Sequence, residues 1–141
     1  MSNSNHAHVM AFLDDFHVGG TPDFQKLSSY FAEDGWYQPL VPATQRMTGR
    51  GAIAAALEKQ YQTYHECRCE IHASAATGPF VFTERTDHVT LHAGDRKVGS
   101  RACAVFEMND DGLIAGWREY WDTGDVMQQM GISAEDLAAA M

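Results

Sequence analysis

Hydrophobic positions repeat with helical spacing in the first half of the chain and with alternating spacing in the second. Val9, Phe12, Leu13 and Phe16 fall on one face of a helix that Gly19 and Gly20 end. Thr21 and Pro22 offer an N-cap and a first-turn proline for a second helix carrying Phe24, Leu27, Tyr30 and Phe31. Trp36 and Tyr37 predict a short strand, Pro39 to Arg50 a loop, and Ala52 to Tyr64 a third helix rich in alanine and leucine. Four long strand-like runs follow: Cys67 to Thr77, Phe80 to His92, Lys97 to Met108 and Leu113 to Asp122. Short Gly-containing turns separate them, as in antiparallel hairpins. Ser133 is placed to cap a last helix from Ala134 to Met141, packed on the outside or at a subunit contact. Helices followed by a long antiparallel meander predict an α+β fold, a curved and mostly antiparallel sheet packed on N-terminal helices to enclose a pocket. With neither repeat nor linker, residues 1–141 read as a single domain.

Composition narrows the function. A chain of 141 residues that is 45% hydrophobic can bury a substantial core without metal or disulfide staples. Ten Lys and Arg against nineteen Asp and Glu give a formal charge of −9, which opposes nucleic acid and anionic membranes and favours a small or neutral ligand. The odd number of cysteines, with no basic segment followed by an apolar run in MSNSNHAHVM, predicts a cytoplasmic protein. No run of apolar residues is long enough for a membrane span.

The candidate chemistry lies on strands. In VFTERTDHVTL, Arg85 and Asp87 are two residues apart and share a side with Val81, Val89 and Leu91, so both charges would enter an apolar interior. Such a pair is costly without partners and a purpose, and buried carboxylates are often shifted in functional sites. In GWREYWD, Gly116, Arg118, Tyr120 and Asp122 point one way while Trp117, Glu119 and Trp121 point the other. Asp122 ends that strand among aromatics and is expected to reach Arg85 across the sheet, with Arg118 and Glu119 making exposed or cross-strand pairs. The seven histidines are scattered and His88 faces away from Arg85, so no metal site is read. Cys67 and Cys69 read as small thiols rather than nucleophiles, and Met127, Met130 and Met141 as packing or dimer contacts.

These segments resemble the limonene-1,2-epoxide hydrolases, whose cone-shaped fold is shared with nuclear transport factor 2, ketosteroid isomerase and SnoaL-type polyketide cyclases. TERTD is similar to the family's Arg-x-Asp strand, WREYWD to its closing acidic strand, VFE to its penultimate strand, and EDGWYQ to the stretch holding a water-binding tyrosine, here Tyr37. The resemblance implies a cofactor-free, metal-free, homodimeric hydrolase that adds water to a small, mainly apolar epoxide and forms a vicinal diol. By the same resemblance Asp122 is the base on a water held by Tyr37, Asp87 donates a proton to the epoxide oxygen, and Arg85 orients both. One departure stands out: two residues after the tyrosine the family has a water-binding asparagine, and this chain has Pro39, which offers no donor there. Two other readings are a cyclase or isomerase with an aspartate base, and a non-catalytic binding module.

Overall fold

The computed structural model describes residues 2–141. Helix α1 (Ser2–Phe16) buries Val9, Phe12, Leu13 and Phe16, the face set by its spacing. Helix α2 spans Phe24–Ser28, and strand β1 follows at Phe31–Gln38. After β2 (Met47–Thr48) comes α3 (Arg50–Gln60). The meander is β3 (Tyr64–Thr77), β4 (Phe80–Leu91), β5 (Lys97–Met108) and β6 (Ile114–Trp121), and two short helices, α4 (Thr123–Met130) and α5 (Ala134–Ala140), complete the chain. All six strands form one curved sheet in the order β2-β1-β6-β5-β4-β3. No helix among the described residues is long and apolar enough to cross a membrane.

The meander strands pair antiparallel, as the hairpin turns predict. The β1–β6 pair is parallel and joins the first strand to the last, with Tyr37 opposite Trp117. Trp117 stacks on Tyr37 at 4.1 Å between ring centroids and on Phe106 at 5.6 Å, and Phe12 meets its edge at 5.2 Å. Each such contact contributes about 0.5–1.5 kcal/mol beyond area burial and fixes ring orientation. Gly116 makes the close β1–β6 approach possible, since a Cβ there would lie 2.3 Å from the Trp36 ring.

Several elements differ from the sequence expectation, each for a tertiary reason. Asp23, not Thr21, caps α2 through a 3.1 Å bond from the Lys26 amide. The helix stops at Ser28, and the Ser28 and Ser29 hydroxyls bond back to the Gln25 and Lys26 carbonyls. Tyr30 and Phe31 leave the helix because the sheet claims them: the Ile114 amide donates to the Tyr30 carbonyl at 3.0 Å, and Phe31 opens β1. Helix α3 begins at Arg50 and ends at Gln60, leaving Tyr64 to open β3. Helix α4 was not read from sequence at all. The last strand ends at Trp121, and Asp122 becomes the N-cap of α4, accepting from the Asp125 amide at 3.0 Å. Ser133 and Asp136 form the capping box of α5, but that helix is no outer ornament, because Leu137, Ala140 and Met141 line the internal cavity.

Candidate active site

Strand alternation turns Arg85 inward, where it is only 2% exposed. Its nearest neighbour across β5 is Ala102, and Glu119 on β6 pairs with Ala104. The two short side chains leave the space through which the guanidinium spans β5 to reach β6. Arg85 Nε donates to Asp87 Oδ1 at 2.8 Å and Nη2 to Asp87 Oδ2 at 3.0 Å, a bidentate pair. Nη1 donates to Glu119 Oε2 at 3.1 Å and to Thr83 Oγ1 at 3.4 Å, and Nη2 also bonds Glu119 Oε1. All five guanidinium N–H groups therefore have acceptors, which is what full burial of arginine requires.

Glu119, not Asp122, is the second carboxylate at Arg85. Asp122 is exposed, occupied as a helix cap and absent from the cavity wall, so the expected Asp-Arg-Asp arrangement is corrected to Asp87-Arg85-Glu119. Alternation along β6 gives the reason: Trp117, Glu119 and Trp121 share the inward side, and all three line the cavity. The pairing expected of its neighbour holds, with Arg118 Nη1 donating to Glu107 Oε2 at 2.8 Å. Burial pushes the Glu119 carboxyl above the ordinary carboxylate range, while the adjoining Arg85 pulls it down. One cation thus holds two carboxylates side by side.

Tyr37 lies in the cavity wall and is buried. The Tyr64 hydroxyl donates to Gln60 Oε1 at 3.2 Å, which turns the amide so that Gln60 Nε2 donates to the Tyr37 oxygen at 2.9 Å. The hydroxyl proton of Tyr37 is thereby left for another acceptor. Burial raises both tyrosines, keeping them neutral donors. Pro39 also lines the cavity, and its carbonyl accepts from Trp121 Nε1 at 2.8 Å. Gln60, which sequence reasoning missed, therefore brings to Tyr37 a side-chain amide that Pro39 cannot offer. The buried indole N–H of Trp117 has no hydrogen-bond partner of full geometry among the described residues, yet lies close enough to Glu119 to favour its charged form.

His17 was also missed, although it lies four residues after Leu13 and so continues the buried face of α1. Its side chain is 5% exposed. Nδ1–H donates to the Leu13 carbonyl at 2.8 Å, so the neutral ring turns the Nε2 lone pair toward Asp87 Oδ1, 3.5 Å away. Burial is the largest influence and holds His17 below its usual pKa, with Asp87 opposing. Cys67 is in the cavity wall and Cys69 pairs with Asp87 across β3 and β4, both thiols raised by burial. The cavity measures ≈ 160 Å³, and apart from the charged group it is walled mainly by residues such as Phe16, Val89, Leu91, Val98 and Val126.

Residues 3–131 match the limonene-1,2-epoxide hydrolase catalytic domain. The chain belongs to that family. It is 33% identical over 120 residues, 85% of this chain and 74% of the relative, to epoxide hydrolase EphG of Mycobacterium tuberculosis. Among solved structures, an LEH-like epoxide hydrolase of M. tuberculosis superposes with a TM-score of 0.75 at 26% identity, covering 99% of this chain and 98% of the other. A SnoaL-like polyketide cyclase of Shewanella denitrificans shares the fold, with a TM-score of 0.78 at 15% identity over 90% and 96% of the two chains. The sheet and helices are thus those of the nuclear transport factor 2-like fold. The span matched to the limonene-1,2-epoxide hydrolase family ends before α5, so Leu137, Ala140 and Met141 are cavity residues outside it.

Proposed function

We propose that this protein hydrolyses an epoxide on a small, mainly apolar molecule to a vicinal diol in one step. The observation that carries the reading is Arg85, buried and fully bonded, holding the carboxylates of Asp87 and Glu119 together on the wall of an otherwise apolar cavity. Opening an epoxide with water needs an acid and a base at once. Glu119, on the same wall as Tyr37 and Gln60, takes a proton from the attacking water as the new carbon–oxygen bond forms. Asp87 gives a proton to the departing epoxide oxygen as the ring bond breaks. The facing lone pair of His17 supports this assignment, because two acceptors 3.5 Å apart are reconciled by a proton brought by Asp87. The proton gained by Glu119 returns to Asp87 through cavity water, and one water is consumed per turnover.

The test is turnover of limonene, cyclohexene and styrene oxides in ¹⁸O-labelled water. The expected product is a diol with one labelled oxygen, formed about 10²- to 10⁴-fold more slowly by Asp87→Asn. Wild-type turnover by Asp87→Asn would remove that residue from the reaction.

We also propose a homodimer formed through the outward side of the sheet. Strand register places Phe82 beside Val105 and Tyr120 beside Cys103 on that side, and Phe82 and Tyr120 are exposed large hydrophobic side chains. Sedimentation equilibrium should give twice the chain mass, with Phe82→Glu shifting it toward the single chain. A single-chain mass for the unmutated protein at micromolar concentration would refute the dimer.

A further inference from the structure

Two acceptors face each other at the edge of the cavity, and neither owes its hydrogen-bonding hydrogen to the other. His17 Nδ1–H is committed to Leu13, which leaves Nε2 as a lone pair toward Asp87 Oδ1 at 3.5 Å. Cys69 sits opposite Asp87 in the β3–β4 register. The ligand atoms of His17, Cys69 and Asp87 all lie within 4.8 Å of one another. In the proposed reaction Asp87 brings a proton into this gap before the epoxide opens; a metal ion is the other species that satisfies converging lone pairs. We propose that His17, Cys69 and Asp87 form a site for a zinc-class divalent ion, which on binding takes the acid end of the cavity and switches the enzyme off.

The geometry suits zinc. Tetrahedral bonds of about 2.0–2.3 Å place ligand atoms roughly 3.3–3.8 Å apart, and the His17–Asp87 separation of 3.5 Å already meets this. Rotation of the Cys69 side chain closes the remainder. Three protein ligands of nitrogen, sulfur and oxygen leave a fourth position toward the cavity. Both His17 and Asp87 are oriented by partners outside the trio, the Leu13 carbonyl and the Arg85 guanidinium, as ligands of bound metals usually are. With Cys69 as thiolate, the carboxylates of Asp87 and Glu119 and the cation of Arg85 leave two net negative charges, which a divalent ion neutralises. Burial pushes the free Cys69 thiol up to about 12, so the incoming ion must expel that proton to solvent as the metal–sulfur bond forms. An Asp87 oxygen bound to metal no longer carries a proton for the epoxide oxygen.

The inhibition rests on the assignment of Asp87 as the acid, whereas the ion site does not. Cobalt(II) added to the metal-free protein should give the near-ultraviolet thiolate charge-transfer band, saturating at one ion per chain. Cys69→Ser should abolish the band, and His17→Ala, which removes a ligand, should weaken binding by more than the roughly tenfold to hundredfold typical of losing an outer partner. Cys103→Ser, which removes an exposed thiol on the other side of the sheet, should change nothing. Zinc should displace cobalt and reduce epoxide turnover in proportion to occupancy. A protein showing no thiolate band in millimolar cobalt, or a band that survives Cys69→Ser, overturns the site. The expected spectra together with full turnover at saturating zinc would uphold the site and overturn the switching role, and with it the acid role of Asp87.

Discussion

Replacing Glu119 by Gln should lower kcat/KM for epoxide hydrolysis by about 10²- to 10⁴-fold, the range of one lost proton-transfer role. The amide keeps the shape and still accepts from Arg85 through its one oxygen, but it cannot take a proton from the attacking water. Asp122→Asn, in the paired measurement, should leave the rate within a few-fold of wild type, because that side chain is exposed and spent on the Asp125 amide. Its loss is one of helix capping, of order 1 kcal/mol for Asp122→Ala in a denaturant titration. The two variants sit three residues apart on one strand end and its continuation, so the contrast between them tests the site assignment directly. Normal turnover by Glu119→Gln with an inactive Asp122→Asn would reverse it.

Arg85→Met should cost about 3–5 kcal/mol of unfolding free energy, the usual consequence of removing one partner from a buried ionic group. Arg85 is 2% exposed and Glu119 6%, so Glu119 loses its cation without gaining water in exchange. The pH dependence follows from the direction of the Glu119 shift. Burial already holds its folded pKa above the ordinary 4.5, and removal of Arg85 takes away the influence that lowers it. A carboxyl whose folded pKa is raised binds more protons folded than unfolded, so stability falls as pH rises from about 4.5 through the folded value. Urea titrations should therefore find Arg85→Met losing stability toward neutral pH more steeply than the wild type. A variant with wild-type stability at every pH would show that Arg85 is not the keystone of the charged group.

Some of the failed expectations were latent in the same patterns that succeeded. The alternation that turned Arg85 and Asp87 inward also put Glu119 on the side of Trp117 and Trp121, and Asp122 on the other. What hid this was strand length: a strand carried through to Asp122 left no room for α4, whose cap Asp122 is. Likewise His17 stands four residues beyond Leu13, just past the end of α1 and in line with its buried face, yet a scattered set of histidines gives no sign of which one meets a carboxylate. Gln60 carried no signal, because its importance depends on Tyr37 and Tyr64 arriving on either side of it.

Read alone, the residues determined the buried face of α1, the four meander strands within a few residues at either end, the Ser133 cap, and the inward turn of Arg85 and Asp87. Those are properties of period and of short-range chemistry, which neighbouring residues settle among themselves. Tertiary structure decided which carboxylate answers Asp87 across the guanidinium, which amide reaches Tyr37, and that β1 joins β6 in parallel. Arg85 and Glu119 are 34 residues apart, and they touch only because strand register places the small side chains of Ala102 and Ala104 between them. A periodic pattern specifies the side on which a residue lies; register and strand order specify what it meets there.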